Sequence, residues 1–424
     1  MKVLLIVPGS GDTFYCGNCF RDRLYAQALR HTGHEVVVMP LYLPVSNKSF
    51  GTDTPLFFPA TSYYIAQKFF KKRTVPQFFK KILETPSMLR MAASLSGATS
   101  AKGMEQMTLS MIKGDDLHFS KEINKMIEWM VNHNHPNIIH LSTSMLIGIA
   151  KVIKNQINIP IVCSLQDEEI WIDTLNDRYA RQAWDLIGKQ AKYVDRFITS
   201  SEFYKSKIHS KIKEIKKIEV VYPGVDVEKY RSHHIPKEPT IGFFYRMSHQ
   251  NGLDILAQAF VKIKQQGGNP QLKLKIGGGY TRENRRFIHQ IRKTLKPFAQ
   301  DVTWIDHYAP DDHASFYKDI SLICVPVRHQ EAIGLYLCEA FAAGIPAVSP
   351  DTGSFSEILS NGGVLYQPNT PDALANAIET ILINRKHYTE CRNNAQQRAQ
   401  MHYRQEATAL QLLQTYELLL AHRN

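Results

Sequence analysis

The fold of this chain is restricted most strongly by twelve short apolar, β-branched runs that recur between longer helical patterns. Continuous runs of four or five such residues are typical of strands that are buried on both faces of a parallel sheet. Six runs fall in each half of the chain, which predicts two layered α/β domains. The runs are residues 3–7, 36–39, 138–141, 161–165, 196–199, 218–222, 241–245, 272–276, 302–305, 322–326, 346–349 and 363–366.

The stretch from Tyr222 to Pro239 interrupts this alternation with three prolines and a glycine, and it marks the division between the domains. We therefore predict a Rossmann-like first domain over residues 1–222 and a Rossmann-like second domain over residues 236–402. Residues 51–120 break the alternation and are interpreted as an insertion in the first domain. A leucine-rich pattern at 403–424 predicts a C-terminal helix that crosses back to the first domain.

The composition is that of a packed globular protein, with 44% hydrophobic and 21% charged residues, which excludes a disordered chain. Its net charge of +12 suits phosphate-bearing ligands, nucleic acid or an anionic membrane surface. No apolar stretch approaches the roughly 18 residues that a membrane-spanning helix needs. Six scattered cysteines favour a reducing compartment. We expect a cytoplasmic protein, with peripheral contact at the inner face of the membrane as an open alternative.

The most informative segment, residues 326–357, carries two glutamates that are eight positions apart. Glu331 lies in a loop after a predicted strand, Gly334 permits close approach of a ligand to the backbone, and a helix is predicted to begin at Leu335. Glu339 lies just over one turn into that helix. The N-terminus of a helix offers free N–H groups to a diphosphate, and the carboxylates can accept hydrogen bonds from sugar hydroxyls. The alternative is a surface loop with two solvated glutamates.

The glutamate pair around Gly-Leu, followed by Ala-Gly-Ile-Pro-Ala-Val and a later Gly-x-x-x-Glu, resembles the signature of family-four retaining glycosyltransferases. The resemblance covers essentially the whole chain apart from residues 51–120. It implies a GT-B fold, in which two Rossmann-like domains with parallel sheets face each other across a cleft. Other segments match the family's motifs in the expected order, namely residues 33–36, 195–201, 221–226 and 277–279.

The resemblance implies a metal-independent hexosyltransferase that moves a sugar, with retention, from a nucleotide diphosphate donor to a glycan, a lipid-linked molecule or another acceptor. The nucleotide sugar is a substrate, so no cofactor is expected, and cell-envelope or exopolysaccharide synthesis is the expected setting. Glu331 would hold hydroxyls of the donor sugar, and Glu339 would hold the donor ribose. Arg246 would bind the diphosphate, where it and the helix at Leu335 would stabilise the charge on the leaving group.

Two positions depart from the family pattern. The family's loop runs Arg-x4-Lys-Gly, but Asn251 stands in place of the lysine, so one of two expected cations is missing. Either Arg328 or His329 is hypothesised to compensate. Gln166 stands where the family often has a histidine near the reacting sugar carbon, and it can donate a hydrogen bond but cannot carry a proton. Either departure is compatible with a slow or degenerate enzyme.

The remaining predicted site residues lie in loops. Gly17 corresponds to the family's glycine loop that faces the donor across the cleft, and His307 completes the predicted donor-binding set with Gly334 and Leu335. Asp167 is expected to orient acceptor or donor hydroxyls, unless it is a solvated turn carboxylate. The chain contains no Asp-x-Asp pair, and enzymes of this fold neutralise the leaving group with protein cations, so we predict no metal.

Two further segments allow alternative interpretations. Cys16 and Cys19 fit a redox Cys-x-x-Cys motif, but two ordinary loop thiols are the favoured interpretation. Residues 68–81 contain six basic residues and four phenylalanines without an acid, which is typical of an interfacial membrane element. Alternatively, the phenylalanines pack on the domain while the lysines are solvated. Nucleic-acid binding is not expected, because these basic residues form no known binding motif.

Three other functions remain open at this stage. A nucleotide-sugar epimerase or a phosphorylase shares the fold, and a catalytically weak or inactive nucleotide-sugar-binding protein is favoured by Asn251 and Gln166. An NAD-dependent dehydrogenase is the generic expectation for Rossmann patterning. It is disfavoured because the chain lacks a Gly-x-Gly-x-x-Gly motif with an acidic residue about 20 positions on.

Overall fold

The computed structural model describes residues 1–9, 14–41, 103–114, 117–231 and 236–421. Its strands form two six-stranded sheets, and every strand pair in both sheets is parallel. Each predicted apolar run coincides with a strand. The predicted α/β fold with two Rossmann-like domains is therefore confirmed.

The first sheet has the order β2-β1-β3-β4-β5-β6. Since β2 and β3 lie on opposite sides of β1, the strand order reverses there, and the crevice at the carboxyl ends of the strands is the usual place for a ligand. The strands are β1 (Lys2–Val7), β2 (Glu35–Pro40), β3 (Ile138–Leu141), β4 (Ile161–Leu165), β5 (Arg196–Thr199) and β6 (Ile218–Val220).

The second sheet has the order β12-β11-β10-β7-β8-β9, with its own reversal between β7 and β10. The segments that follow these two strands carry Arg246 and Glu331, so the topology alone brings both residues to one edge of the sheet. The strands are β7 (Thr240–Phe244), β8 (Lys273–Gly277), β9 (Val302–Trp304), β10 (Leu322–Cys324), β11 (Ala347–Pro350) and β12 (Gly363–Tyr366).

Helices connect the strands, and several begin at the side-chain caps that their sequence provides. Asn176 accepts the N–H of Arg178, and Thr370 precedes a proline at the first helical position, both of which are favourable helix starts. The helices up to the second sheet are α1 (Gly17–His31), α2 (Glu105–Lys113), α3 (Leu117–Trp129), α4 (Gly148–Gln156), α5 (Glu168–Ile172), α6 (Asp177–Gln190), α7 (Glu202–Lys211) and α8 (Val227–Tyr230). The later helices are α9 (Leu253–Gln266), α10 (Arg285–Leu295), α11 (Ala314–Tyr317), α12 (Leu335–Ala342), α13 (Phe355–Leu359), α14 (Pro371–Ile383), α15 (Arg385–His402) and α16 (Gln405–Ala421).

The C-terminal helix α16 returns to the first domain, as predicted, and packs against α1. Tyr416 on this helix is buried against the first sheet, and its hydroxyl lies 2.7 Å from Nδ1 of His140 on β3. The other ring nitrogen of His140 lies 2.7 Å from Oγ of Ser164. Burial, with a smaller contribution from the charge of Arg21, lowers the pKa of His140 to about 3, so this histidine is neutral.

Part of the predicted insertion 51–120 is described, and it belongs to the first domain. Thr108 on α2 accepts a hydrogen bond from the indole of Trp171 at 3.1 Å. The basic-aromatic segment 68–81 lies outside the described residues, so its membrane contact stays a prediction. Across the ranges that the structure covers, no helix is both long and apolar enough to cross a bilayer.

Candidate active site

The carboxyl ends of the two sheets face each other, and the loops at these ends contact each other directly. Asp167 follows β4 in a left-handed conformation (φ 54°), and its Oδ1 accepts the N–H of Ala332 from the second domain at 3.1 Å. Ser201, ahead of α7, donates its hydroxyl to the carbonyl of the same Ala332 at 2.5 Å. The loop that carries Glu331 is therefore held against the first domain from two sides.

Glu331 lies at the centre of this contact and is only 2% exposed. The Tyr245 hydroxyl is 3.3 Å from each of its carboxylate oxygens, and Nε2 of His329 is 3.0 Å from Oε2. A side chain at Gly17 of the first domain would place its Cβ 3.7 Å from the Tyr245 hydroxyl. The structure thus brings Gly17 and Glu331 to the same tyrosine hydroxyl, at the junction of the domains.

His329 places an imidazole beside this carboxylate. Burial pushes the pKa of His329 down, but its hydrogen bond to Glu331, with the negative charges of Glu331 and Glu169, outweighs burial and raises the pKa above its usual value. The imidazolium form is therefore favoured over a wider pH range than in a solvated histidine.

Asp167 experiences the same negative surroundings, which in a carboxyl group favour the neutral form. Burial and the neighbouring carboxylates of Glu331, Glu169 and Glu168 raise the pKa of Asp167 well above its usual range, and the hydrogen bond from Ala332 offsets only part of this. Carboxyl groups with perturbed pKa values are typical of functional sites, since a protonated carboxyl can donate a hydrogen bond as well as accept one.

Arg246 follows β7, and its guanidinium lies 4.6 Å from the centre of the Phe14 ring of the first domain. Burial lowers the pKa of Arg246, with the charge of Glu283 opposing the effect, but a guanidinium stays protonated at neutral pH. A partly desolvated cation next to a cation–π partner suits the binding of an anion. The sequence prediction of Arg246 as the phosphate ligand is compatible with this position.

The two proposed substitutes for the missing lysine differ in their positions. Asn251 is buried, and its side-chain amide donates to the backbone carbonyl of Arg246 at 2.7 Å, so it holds the loop together. Arg328 donates two hydrogen bonds to Asp254, at 2.8 and 2.7 Å, and another to the carbonyl of His249. Its guanidinium therefore pairs with a carboxylate at the start of α9, whereas His329 pairs with Glu331 at the junction of the domains. Compensation by Arg328 or by His329 stays a prediction.

The helix α12 begins at Leu335, at the position predicted from the sequence. Gly334 is its N-cap, with φ 63°, a conformation that favours glycine, and a Cβ there would lie 3.0 Å from the Phe355 ring. All eight residues of α12 are buried. The free N–H groups at its start are therefore held in a fixed position next to the loop of Glu331.

Glu339 on α12 is fully buried and accepts four hydrogen bonds. Its Oε1 is bonded by the Tyr230 hydroxyl at 2.7 Å and lies 2.6 Å from Nδ1 of His313. Its Oε2 accepts the hydroxyls of Tyr15 at 3.0 Å and Tyr317 at 3.2 Å. A carboxylate has about four lone-pair sites, so a ribose hydroxyl can bind Glu339 only by replacing one of these donors.

Tyr15 is the one of these four donors that lies in the first domain's loop ahead of α1. Its backbone N–H donates to the carbonyl of Gly278 at 2.7 Å, and the preceding Phe14 forms an isolated bridge with Gly279. The Tyr15 ring stacks on His313 at 5.3 Å between centroids. Residues 14–15 of the first domain therefore form backbone contacts with the Gly277–Gly279 segment of the second domain, which was recognised as a motif in the sequence.

Cys16, which directly follows Tyr15, is joined to Cys19 in a disulfide. The expectation of two ordinary loop thiols is therefore wrong. The spacing across the first turn of α1 brings the two sulfurs together, because Cys16 is the N-cap and accepts the N–H of Cys19. The other four cysteines are buried and unpaired thiols.

The two remaining predicted site residues, Gln166 and His307, differ in their solvent exposure. Gln166, at the end of β4, is 3% exposed, and its Oε1 accepts a hydrogen bond from Arg21 at 2.7 Å. His307 is exposed after β9, with no hydrogen bond to another described residue. Within the ranges covered by the structure, no three His, Cys, Asp or Glu side chains are grouped to hold a metal ion.

The sequence reasoning missed the ring of residues around Glu339. Tyr15, Tyr230, His313 and Tyr317 carry no motif, and Tyr15 is 324 residues from Glu339 along the chain. The one available signal was the position of Tyr15 in the loop before α1, where a residue of the first domain can reach the second.

The chain is similar to known glycosyltransferase families and to individual members of them. Residues 226–398 match the family model "Glycosyl transferases group 1", and residues 112–229 match the model "Glycosyltransferase Family 4". A D-inositol 3-phosphate glycosyltransferase of Rhodococcus erythropolis is 29% identical over 47% of this chain and 48% of its own length. A GDP-mannose-dependent alpha-(1-6)-phosphatidylinositol monomannoside mannosyltransferase of Mycobacterium tuberculosis is 23% identical over 44% of this chain and 52% of its own length. The chain thus spans about half the length of these relatives.

Two solved structures share the fold over the whole chain. The sucrose-phosphate synthase of Thermosynechococcus elongatus has a TM-score of 0.72 and 18% identity, with all of both chains covered. Anabaena HepE in complex with UDP and glucose has a TM-score of 0.66 and 16% identity, with 99% of this chain and all of that chain covered. At these identities, the likeness establishes the fold.

Proposed function

Because the two family models together match residues 112–398, the chain belongs to the group 1 glycosyltransferases, and we propose that it transfers a hexose-type sugar from a nucleotide diphosphate donor with retention. The observation that supports this most strongly is the buried Glu331, held by Tyr245 and His329 at the junction of the two domains. A carboxylate in this position can select a ligand with hydroxyl groups, and the loops around it close from both domains.

Arg246 and the start of α12 are proposed to bind the diphosphate. As the bond to the sugar breaks, negative charge grows on the leaving diphosphate, and donors that are already oriented toward it lower the barrier. Arg246 is a partly buried cation at the end of β7, and Gly334 and Leu335 hold the helix start in the adjacent loop. We propose that these protein groups neutralise the leaving diphosphate without a metal ion, and that no cofactor takes part.

Glu339 is proposed to bind the donor ribose after Tyr15 releases it. The hydroxyls of Tyr230 and Tyr317 and the ring of His313 belong to the connection and to the second domain, and they remain as the wall of the site. Tyr15 belongs to the first domain, so it can withdraw when the domains move to admit a nucleotide. Donor binding is thereby coupled to the relative position of the domains.

His329 is proposed to supply part of the charge that the family's lysine would provide at Asn251. Its raised pKa and its contact with Glu331 extend the pH range over which an imidazolium is present in the cleft. Asn251 instead stabilises the loop through the carbonyl of Arg246.

The acceptor is proposed to be a glycan or lipid-linked molecule of the cell envelope, with Asp167 orienting hydroxyls near the reacting carbon. The relatives include a "Lipopolysaccharide core biosynthesis mannosyltransferase LpsB" of Rhizobium meliloti, 23% identical over 44% of this chain, which supports such an acceptor. We also propose a cytoplasmic location, with peripheral membrane contact through residues 68–81.

Thermal-shift measurements against UDP-sugars and GDP-sugars test the donor, because a ligand that binds the folded state raises the melting temperature. Proton NMR of the product then gives the anomeric configuration. We expect a shift with one class of donor and an α-product from an α-linked donor. An inverted product, or phosphate-dependent release of the sugar, would contradict the proposed reaction, the latter in favour of a phosphorylase.

A second candidate is a catalytically weak or inactive protein that binds nucleotide sugars. It is favoured by one observation: protein groups already make four hydrogen bonds to the Glu339 carboxylate, about as many as it can accept. Donor binding without any turnover would support this second function.

A further inference from the structure

Arg21, on α1, is a charged side chain that is 1% exposed and lies beneath the end of β4. Its Nε and Nη2 donate to Oδ1 of Asp22 at 3.2 and 2.7 Å, and Nη2 also donates to the carbonyl of Ser142. Its Nη1 donates to Oε1 of Gln166 at 2.7 Å. Asp22 balances the buried charge, so the pair is neutral as a unit.

The backbone of Gln166 is held separately. Its N–H donates to Oε2 of Glu168 at 2.8 Å. Glu168 is in turn fixed by the N–H of Ser144 at 3.1 Å and by the Tyr204 hydroxyl at 2.9 Å. Both the main chain and the side chain of Gln166 are therefore anchored by buried groups, which is the arrangement expected for a residue that must be placed accurately.

The contact with Arg21 also determines which end of the Gln166 amide is left for a ligand. A guanidinium has five donors and no acceptor, so it can be satisfied only by the amide oxygen. The amide nitrogen must then point away from Arg21, and Nε2 forms no hydrogen bond with any residue in the described ranges. Rotating the Gln166 amide by 180° is disfavoured, because its NH2 group would then face the N–H donors of Arg21.

We infer that Arg21 is a positioning residue that makes Gln166 a hydrogen-bond donor only, directed at an oxygen of the bound nucleotide sugar. This inference rests on the proposed function. The chemical class of the recognised atom is a sugar hydroxyl or a phosphate oxygen, since Nε2 can donate and cannot accept.

Two substitutions separate this role from a structural one. Arg21→Lys keeps a cation for Asp22 but cannot span Asp22, Ser142 and Gln166 with one nitrogen. Gln166→Glu keeps an acceptor for Arg21 but removes the N–H donor. We expect Gln166→Glu to keep its melting temperature and to lose turnover at least as strongly as Gln166→Ala. We expect Arg21→Lys to lower kcat about tenfold, on the order of one hydrogen bond to a charged group, with a smaller change in the donor KM.

The decisive experiment is a double-mutant cycle on kcat, with release of nucleoside diphosphate as the readout. If Arg21 acts through Gln166, Arg21→Lys has no further effect in the Gln166→Ala background. Tyr416→Phe is the matched control, because it removes a buried hydrogen bond of the same domain without touching Gln166, and its kcat should equal that of the wild type.

Additive effects of the two substitutions, or unchanged turnover in Gln166→Ala, would overturn the inference while leaving the glycosyltransferase proposal intact. Full activity of Gln166→Glu would overturn it as well, because that variant has no amide donor. A wild-type chain that neither transfers nor hydrolyses any donor would instead overturn the proposed function and this inference with it, an outcome that is distinguishable from additivity in an active enzyme.

Discussion

Replacing Tyr15 with phenylalanine tests whether Glu339 is a nucleotide ligand. In the structure, the Tyr15 hydroxyl occupies one of four donor positions around the carboxylate, at 3.0 Å from Oε2. The substitution removes this hydroxyl and keeps the ring, which packs 5.3 Å from His313 and 5.2 Å from Tyr245 between centroids. The change is therefore confined to the competition for one carboxylate oxygen.

The size of the effect follows from the hydrogen bond that the ribose must replace. A hydrogen bond to a charged group contributes about 1.5–3 kcal/mol net. If a ribose hydroxyl displaces Tyr15, breaking the Tyr15 hydrogen bond reduces the binding free energy of the wild type by up to this amount. Tyr15→Phe has no such bond to break, so its binding free energy is not reduced. At about 1.4 kcal/mol per factor of ten, the variant should bind a nucleoside diphosphate roughly 10 to 100 times more tightly.

Isothermal titration calorimetry with UDP and GDP measures this difference. Tyr25→Phe is the matched control, because the Tyr25 hydroxyl on α1 donates to the carbonyl of Val221 at 2.8 Å and does not contact Glu339. Tyr25→Phe should lose stability without a change in nucleotide affinity. Equal or weaker binding by Tyr15→Phe would refute the reasoning and would leave Glu339 as a structural carboxylate.

Three further predictions concern charge. Arg246→Ala should lower kcat by one to two decades, about 1.5–3 kcal/mol of lost leaving-group stabilisation, and Arg246→Lys should recover part of it in steady-state assays. Donor affinity should fall as pH rises through the raised pKa of His329, since the imidazolium is lost there, and titrations of His329→Gln should lack this dependence. The pKa of His140 is about 3 when folded and about 6.5 when unfolded, so acid favours unfolding. When the pH is lowered from 7.5 to 5, His140 should therefore reduce the free energy of unfolding by about 2 kcal/mol, as measured by urea titrations. The variant His140→Gln should lack that contribution.

The features that were predicted correctly from the sequence are those that depend on local patterns. Parallel strands that are buried on both faces require continuous apolar runs, so all strands of both sheets could be located. The start of α12 was predicted at Leu335, directly after Gly334, and the structure has Gly334 at the N-cap of this helix. The C-terminal helix was recognisable by its leucines, and α16 packs on the first domain as expected.

The features that were missed depend on partners far apart in the chain. Arg328 pairs with Asp254, 74 residues away, and no local pattern indicates that its charge is already engaged. The donors around Glu339 come from both domains and from the connection between them. The Cys-x-x-Cys spacing permits both thiols and a disulfide, and only the geometry at the start of α1 decides between them.

The central claim is that the cleft around Glu331 activates a nucleotide diphosphate sugar. The most direct test is the rate at which the intact chain releases nucleoside diphosphate from a panel of UDP- and GDP-sugars, compared with Glu331→Gln. We predict release from at least one donor by the wild type, and a loss of at least tenfold in Glu331→Gln, on the order of one charge-assisted hydrogen bond. Equal rates for the two proteins would contradict the account.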